Sequence, residues 1–214
     1  MLKNIFVVTV LLYGILIHLT IAMASTIIPM NHREMTTEAE LIFVGTVANL
    51  ESKVKANNTI YTEVTFTDLQ IVKGIHPGET LIVELAGGTI GQYHSKTVGM
   101  PEFQVGGRHL IFLAGNRKHL CPIVGWSQGK FNIVINQMSG REDILDNYNN
   151  PIKEIKDNEV VRQTAPVDKR GKDFPGISPE HGIVSQQLSA GFDDGKRLSL
   201  REFISITERL LGLN

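Results

Sequence analysis

Apolar and polar side chains alternate with a period of two through much of the stretch between Leu41 and Ile135, and that alternation commits this part of the chain to a sheet. Residues 80–85 are the cleanest case: Leu81, Val83 and Leu85 share one parity, Ile82 and Glu84 the other. In the stretch 60–72, Val64 and Phe66 alternate with Glu63, Thr65 and Thr67, but Leu69 and Ile71 fall in the opposite parity. One extra residue near Asp68 restores the inward face, so the pattern predicts a long strand with a β-bulge there. Small, strongly curved barrels bend a strand round a corner in this way.

The remaining segments fill in around that pair. Residues 37–40 are polar and helix-friendly and lead into Leu41-Ile42-Phe43-Val44-Gly45-Thr46-Val47, an apolar, β-rich run of strand length. Residues 56–59 and 73–78 carry turn signals. Gly87, Gly88 and Gly91 loosen the chain, and residues 92–101 read as a loop. Six strands are expected, near residues 41–50, 60–73, 80–86, 108–114, 122–126 and 130–136. Residues 139–197 are polar and interrupted by Pro151, Pro166, Pro175 and Pro179, which reads as a connector with one short element near Glu159 to Val161. In residues 198–214 helical periodicity returns: Leu200, Phe203, Ile204, Ile206, Leu210 and Leu211 approximate one face. Ser199 and Glu202 form a capping box ahead of it, and Gly212 stands where a C-cap belongs.

The first residues predict export. Lys3 gives a positive start, residues 5–22 are almost wholly apolar, and Ala22-Met23-Ala24 supplies small residues before Ser25. That is the order of a cleavable secretory signal over residues 1–24, with an uncleaved membrane anchor as the alternative. A secreted or periplasmic chain of residues 25–214 is expected, meeting the membrane only through its leader. The single cysteine, Cys121, rules out an intramolecular disulfide and a multi-thiolate zinc site. A net charge of -1 and pI near 6.7 leave no basic excess for nucleic acid.

The run "LIFVGTV", then "YTEVTFTDLQIVKG", "GETLIVELAGG" and "FQVGGRHLIFL" is similar to the netrin-like/TIMP-like group of OB-fold barrels, and more closely to uncharacterised secreted bacterial proteins of that kind. The resemblance covers roughly residues 38–136 and implies an all-β, five- to six-stranded OB-like barrel over residues 25–138 with a C-terminal amphipathic helix. The animal inhibitors of the group place an N-terminal cysteine, held by disulfides, on a metalloprotease zinc. Here the expected new N-terminus is Ser25, so that chemistry does not carry over.

No cofactor or metal signature is readable. His32, His76, His94, His109, His119 and His181 contain no H-x-H or H-x-x-x-H pair. His94, His109 and His119 are the candidates that folding would have to bring together. Asp193-Asp194-Gly195 fails the EF-hand spacing in either register and reads as a turn before a capped helix. Gly87-Gly88-Thr89-Ile90-Gly91 lacks the lysine and helix of a phosphate loop. Cys121, beside Lys118 and His119, has no visible base and orienting partner. Asn57-Asn58-Thr59 is a formal glycosylation acceptor. The expected function is therefore an exported, non-enzymatic binding protein that presents loops 87–104 and 114–122 to a protein or small ligand of the cell envelope. The alternative is an envelope enzyme or a metalloprotease inhibitor-like protein using the same loops.

Overall fold

The computed structural model describes residues 28–137, 139–163 and 197–213. Six antiparallel strands form the main sheet: β1 (Leu41–Val54), β2 (Ile60–Lys73), β3 (Leu81–Ala86), β6 (Arg108–Leu113), β7 (Lys130–Ile135) and β8 (Glu142–Leu145), in the order β3-β2-β1-β6-β7-β8. Two hairpins accompany it, β4 (Gly88–Ile90) with β5 (Tyr93–Ser95) and β9 (Ile152–Lys156) with β10 (Glu159–Arg162). Helix α1 (His32–Glu38) precedes the sheet and helix α2 (Leu200–Leu210) follows it. The expected leader over residues 1–24 and most of the expected connector over residues 139–197 lie outside the described residues.

The central strands are apolar in both parities because both of their faces are covered. On one face, Ile42, Val44, Leu110, Phe112, Phe131, Ile133 and Ile144 pack with Met35 and Ala39 near α1 and with Leu200, Phe203 and Ile204 of α2. Phe203 is fully buried, its ring 4.9 Å from those of Phe131 and His32. The opposite face carries a second core: Leu41, Phe43, Val47, Val64, Phe66, Leu81, Val83, Leu85, Ile111 and Leu113. The alternation of Leu81, Val83 and Leu85 thus marks this second core, and the periodicity of residues 200–211 the first.

The bulge lies where parity placed it. Val44 pairs with Gln70 and Thr46 with Thr67, so Asp68 and Leu69 together oppose Gly45. Asp68 takes the left-handed conformation, φ 51°, which an aspartate tolerates better than most residues. Both helices open on a complete capping box, Asn31 with Glu34 and Ser199 with Glu202. Each box satisfies N–H groups that the first helical turn leaves unpaired.

Three sequence expectations are corrected. Residues 122–126 are not a strand: Ile123 makes one isolated bridge to Leu113, then the chain turns into a 3-10 turn at Trp126–Gly129. Gly125 and Trp126 both hold φ 60°, which breaks any extended run. Residues 92–101 are not wholly loop, since Tyr93–Ser95 pairs back on Gly88–Ile90. Residues 142–162 hold three strands rather than one element. Glu142–Leu145 is the sixth strand of the main sheet, and its far side is met by Ser199, which bridges to Asp143.

Candidate functional site

Antiparallel register brings three polar side chains of β6 and β7 onto one face. His109 lies opposite Asn132, and Ile111 opposite Lys130. Because Ile111 belongs to the core that faces away from the helices, its parity mates point to that side as well. There the apolar interior ends against Phe103, and a polar cluster begins. Lys130 is 4% exposed and His109 7%. The chain that follows β8 turns back beneath them with Asp146, Asn147, Asn149 and Asn150.

The hydrogen bonds fix each donor and acceptor. Asn132 Nδ2 uses both protons, donating to the Asp146 carbonyl at 3.1 Å and to Asn149 Oδ1 at 2.7 Å. The oxygen that remains, Asn132 Oδ1, meets His109 Nδ1 at 3.0 Å. His109 Nδ1 must therefore carry the proton and donate, which leaves Nε2 a bare lone pair in the neutral ring. That nitrogen is buried without a hydrogen-bond partner among the described residues. Burial, followed by the nearby Lys130 charge, pulls His109 down to about 3, so the ring stays neutral at physiological pH.

Lys130 is the second unusual member. Its Nζ donates to Asn147 Oδ1 at 3.1 Å and lies 5.1 Å from the centre of the Phe103 ring. No carboxylate of the described residues lies within 4 Å of it. Asp146 is occupied elsewhere: its oxygens accept from Arg162 Nε at 2.8 Å, from the backbone N–H groups of Tyr148 and Asn150, and from Asn150 Nδ2. Glu102 is turned to Lys96. Desolvation pulls Lys130 down to about 8, opposed by the more distant charges of Glu102 and Asp146, so the ammonium is still charged at neutral pH. A charged, buried ammonium with two N–H groups to spare is held beside a neutral imidazole with a free lone pair. Half-buried Phe103 touches both, its ring edge-on to His109 at 5.1 Å.

The other candidate histidines are placed differently. His94 is exposed on β5, its Nδ1 2.9 Å from Thr89 Oγ1 across the hairpin. His119 is exposed in the loop after β6, where its ring fills the space beside Gly115: a Cβ there would lie 2.8 Å from the ring. His109 alone of the three is embedded in a polar cluster. Among the described residues no group of three or more His, Cys, Asp or Glu could hold a metal ion. Cys121 is buried, and burial pushes its thiol up to about 11, away from thiolate chemistry. A groove of about 530 Å³ at the bulge, lined by Thr67, Asp68, Leu69, Gly78, Glu79 and Thr80, is open to solvent.

Loop 114–122 binds the chain's own sheet. Asn116 imitates a strand along the free edge of β3: its Oδ1 accepts from Glu84 N at 3.1 Å and its Nδ2 donates to the Ile82 carbonyl at 2.7 Å. Ala86 N donates to the Leu120 carbonyl at 2.9 Å. Arg117 and Lys55 then bracket the Glu84 carboxylate at 3.0 and 2.9 Å.

Sequence reading missed Lys130, Asn132 and Phe103. In β7 the polar parity reads as a solvated face, because alternation cannot reveal that the other side is covered as well. The signal was the turn-forming run Asp146-Asn147-Tyr148-Asn149-Asn150, whose short side chains serve as hydrogen-bond partners for a neighbouring strand. Among the described residues no helix is long and apolar enough to cross a membrane. No protein-family model, curated protein or solved structure matches this chain.

Proposed function

We propose that this chain is an exported, non-enzymatic binding protein of the cell envelope, and that it holds a small ligand at the Lys130–His109–Asn132 cluster. The observation that carries the reading is the ammonium of Lys130, buried and without an ion pair among the described residues, next to the unused lone pair of His109 Nε2. Burying such groups without full compensation costs several kcal/mol, and a ligand that pairs with both would recover part of that cost. Export is supported by the order of charge, apolar run and small residues over 1–24.

We further propose that the sheet is an OB-like barrel of the netrin/TIMP-like kind. The bulge at Asp68 supports this, since it bends β2. So does the segment 116–120, which lies along β3 and so returns from β6 to the opposite edge of the β3-β2-β1-β6 part of the sheet. Together they wrap the second core.

The test is expression with its leader in a bacterial host, followed by a protein-observed NMR screen of a panel of anionic and neutral small molecules. The reading expects a mature N-terminus at Ser25, and binders whose shifts centre on Phe103, His109, Lys130 and Asn132 and vanish in Lys130→Met. A product retained in the cytoplasm with Met1 in place contradicts export. Binders that shift residues elsewhere, and persist in Lys130→Met, contradict the site.

A further inference from the structure

Resting on the binding-site reading, we infer that the ligand class is a small 2-hydroxycarboxylate, its carboxylate on Lys130 Nζ and its hydroxyl donating to His109 Nε2. The inference follows from what the cluster lacks. The donors left over are the ammonium N–H groups of Lys130, whose only hydrogen bond among the described residues goes to Asn147 Oδ1. They ask for an anion, and the nearby carboxylate of Asp146 is already taken up by Arg162, Asn150 and the Tyr148 N–H. The acceptor left over is His109 Nε2, which the Asn132 amide fixes as a lone pair. It asks for a donor on the same molecule.

The Lys130 ammonium and the His109 ring both lie 5.1 Å from the centre of one phenyl ring, that of Phe103, so the two groups flank the same apolar side chain. A hydroxyl suits the second position better than an ammonium. The Lys130 charge already disfavours a proton on His109, and the same field repels a second cation. Anions without a donor satisfy one half of the site only, and neutral hydroxyl compounds the other half only.

The experiment is an NMR titration of the isotope-labelled mature chain with lactate, propionate, methyl lactate and alanine in separate runs. The resonances followed are the Phe103 ring, the His109 imidazole and the Lys130 side chain. Lactate is expected to saturate and move all three. Propionate should bind about tenfold more weakly, the value of one added hydrogen bond to a buried acceptor. Methyl lactate should leave the three unmoved, and alanine should bind more weakly than lactate. In His109→Phe, which keeps an aromatic ring against Phe103, lactate and propionate should bind alike. In Lys130→Met neither should bind. The wild-type comparison of lactate with its ester stands even if a variant does not fold.

Equal binding of lactate and methyl lactate overturns the anion assignment, and equal binding of lactate and propionate overturns the hydroxyl assignment. Neither result touches the site itself, provided the shifts stay at these three residues. No shift at them with any of the four compounds overturns the ligand class and leaves a buried water as the partner of Nε2. If panel binders still act through Lys130, the site survives and only the class fails. If none does, the site reading fails with it.

Discussion

Replacing Lys130 by methionine should stabilise the protein while abolishing binding. Lys130 is 4% exposed, and desolvation lowers its pKa from 10.5 to about 8. At about 1.4 kcal/mol per unit, holding the charge inside costs the folded state about 3 kcal/mol at neutral pH. Against this stand the bond to Asn147, worth about 1 kcal/mol, and the contact with the Phe103 ring, worth about 0.5–1 kcal/mol. Methionine keeps the unbranched stem and most of its packing. The variant should therefore gain roughly 1–2 kcal/mol in urea denaturation, or about 3–6 °C in Tm for a chain of this size. The pH dependence identifies the cause. Between pH 8 and 10.5 the folded amine is neutral while the unfolded one still holds its proton. The unfolded state binds more protons there, so wild-type stability rises with pH. The advantage of the variant should shrink across that window and vanish above it. A variant less stable than wild type by more than 1 kcal/mol, or an advantage unchanged from pH 7 to 10.5, would refute the reasoning.

Acid should weaken the fold through two imidazoles buried neutral. Burial holds His32 at about 4 and His109 at about 3, so below pH 6.5 the unfolded chain gains protons that the folded one does not. Each should cost about 2 kcal/mol at pH 5 relative to pH 7.5, read as a drop in the urea midpoint, and a flat profile over that range would contradict it. Phe203→Ala should cost about 3–5 kcal/mol by calorimetry, because the side chain is fully buried between His32, Phe112 and Phe131; a loss under 1 kcal/mol would mean that α2 is not docked there. Asn116→Ala should cost about 1–2 kcal/mol and raise hydrogen exchange at Glu84 N, since it strips the edge of β3 of its side-chain partner. Unchanged exchange at Glu84 would separate the 114–122 loop from the sheet edge.

What the sequence made legible was whatever a single strand or helix encodes about its own buried face. The parity slip around Asp68, the Leu81–Val83–Leu85 face and the Ser199–Glu202 box are all local, and each stands where the pattern put it. What stayed hidden depends on partners distant in the chain. Ile123 and Val124 are as apolar as any strand, but the left-handed backbone at Gly125 and Trp126 turns them into a loop that plugs the core. Residues 142–145 read as polar connector because Asp143 is buried there, and its charge is met by Arg141 at 2.8 Å and by Arg197, far away in the chain. The site itself was half visible. His109 stood out as a titratable residue, but nothing near it in sequence predicts that Asn132 and the 146–150 turn would set its tautomer. His94 and His119 stood out for the same reason and are exposed elsewhere.

The tautomer of His109 is the most direct test of the central claim, which is that the cluster keeps a donor-seeking nitrogen and an unpaired ammonium for a guest. A long-range proton–nitrogen NMR spectrum of the labelled imidazole at pH 7, taken without added ligand, reads it. A proton on Nδ1 and a bare Nε2 is the predicted result. A proton on Nε2, or a charged ring with both nitrogens protonated, would contradict it, since neither leaves a lone pair there for a ligand to meet.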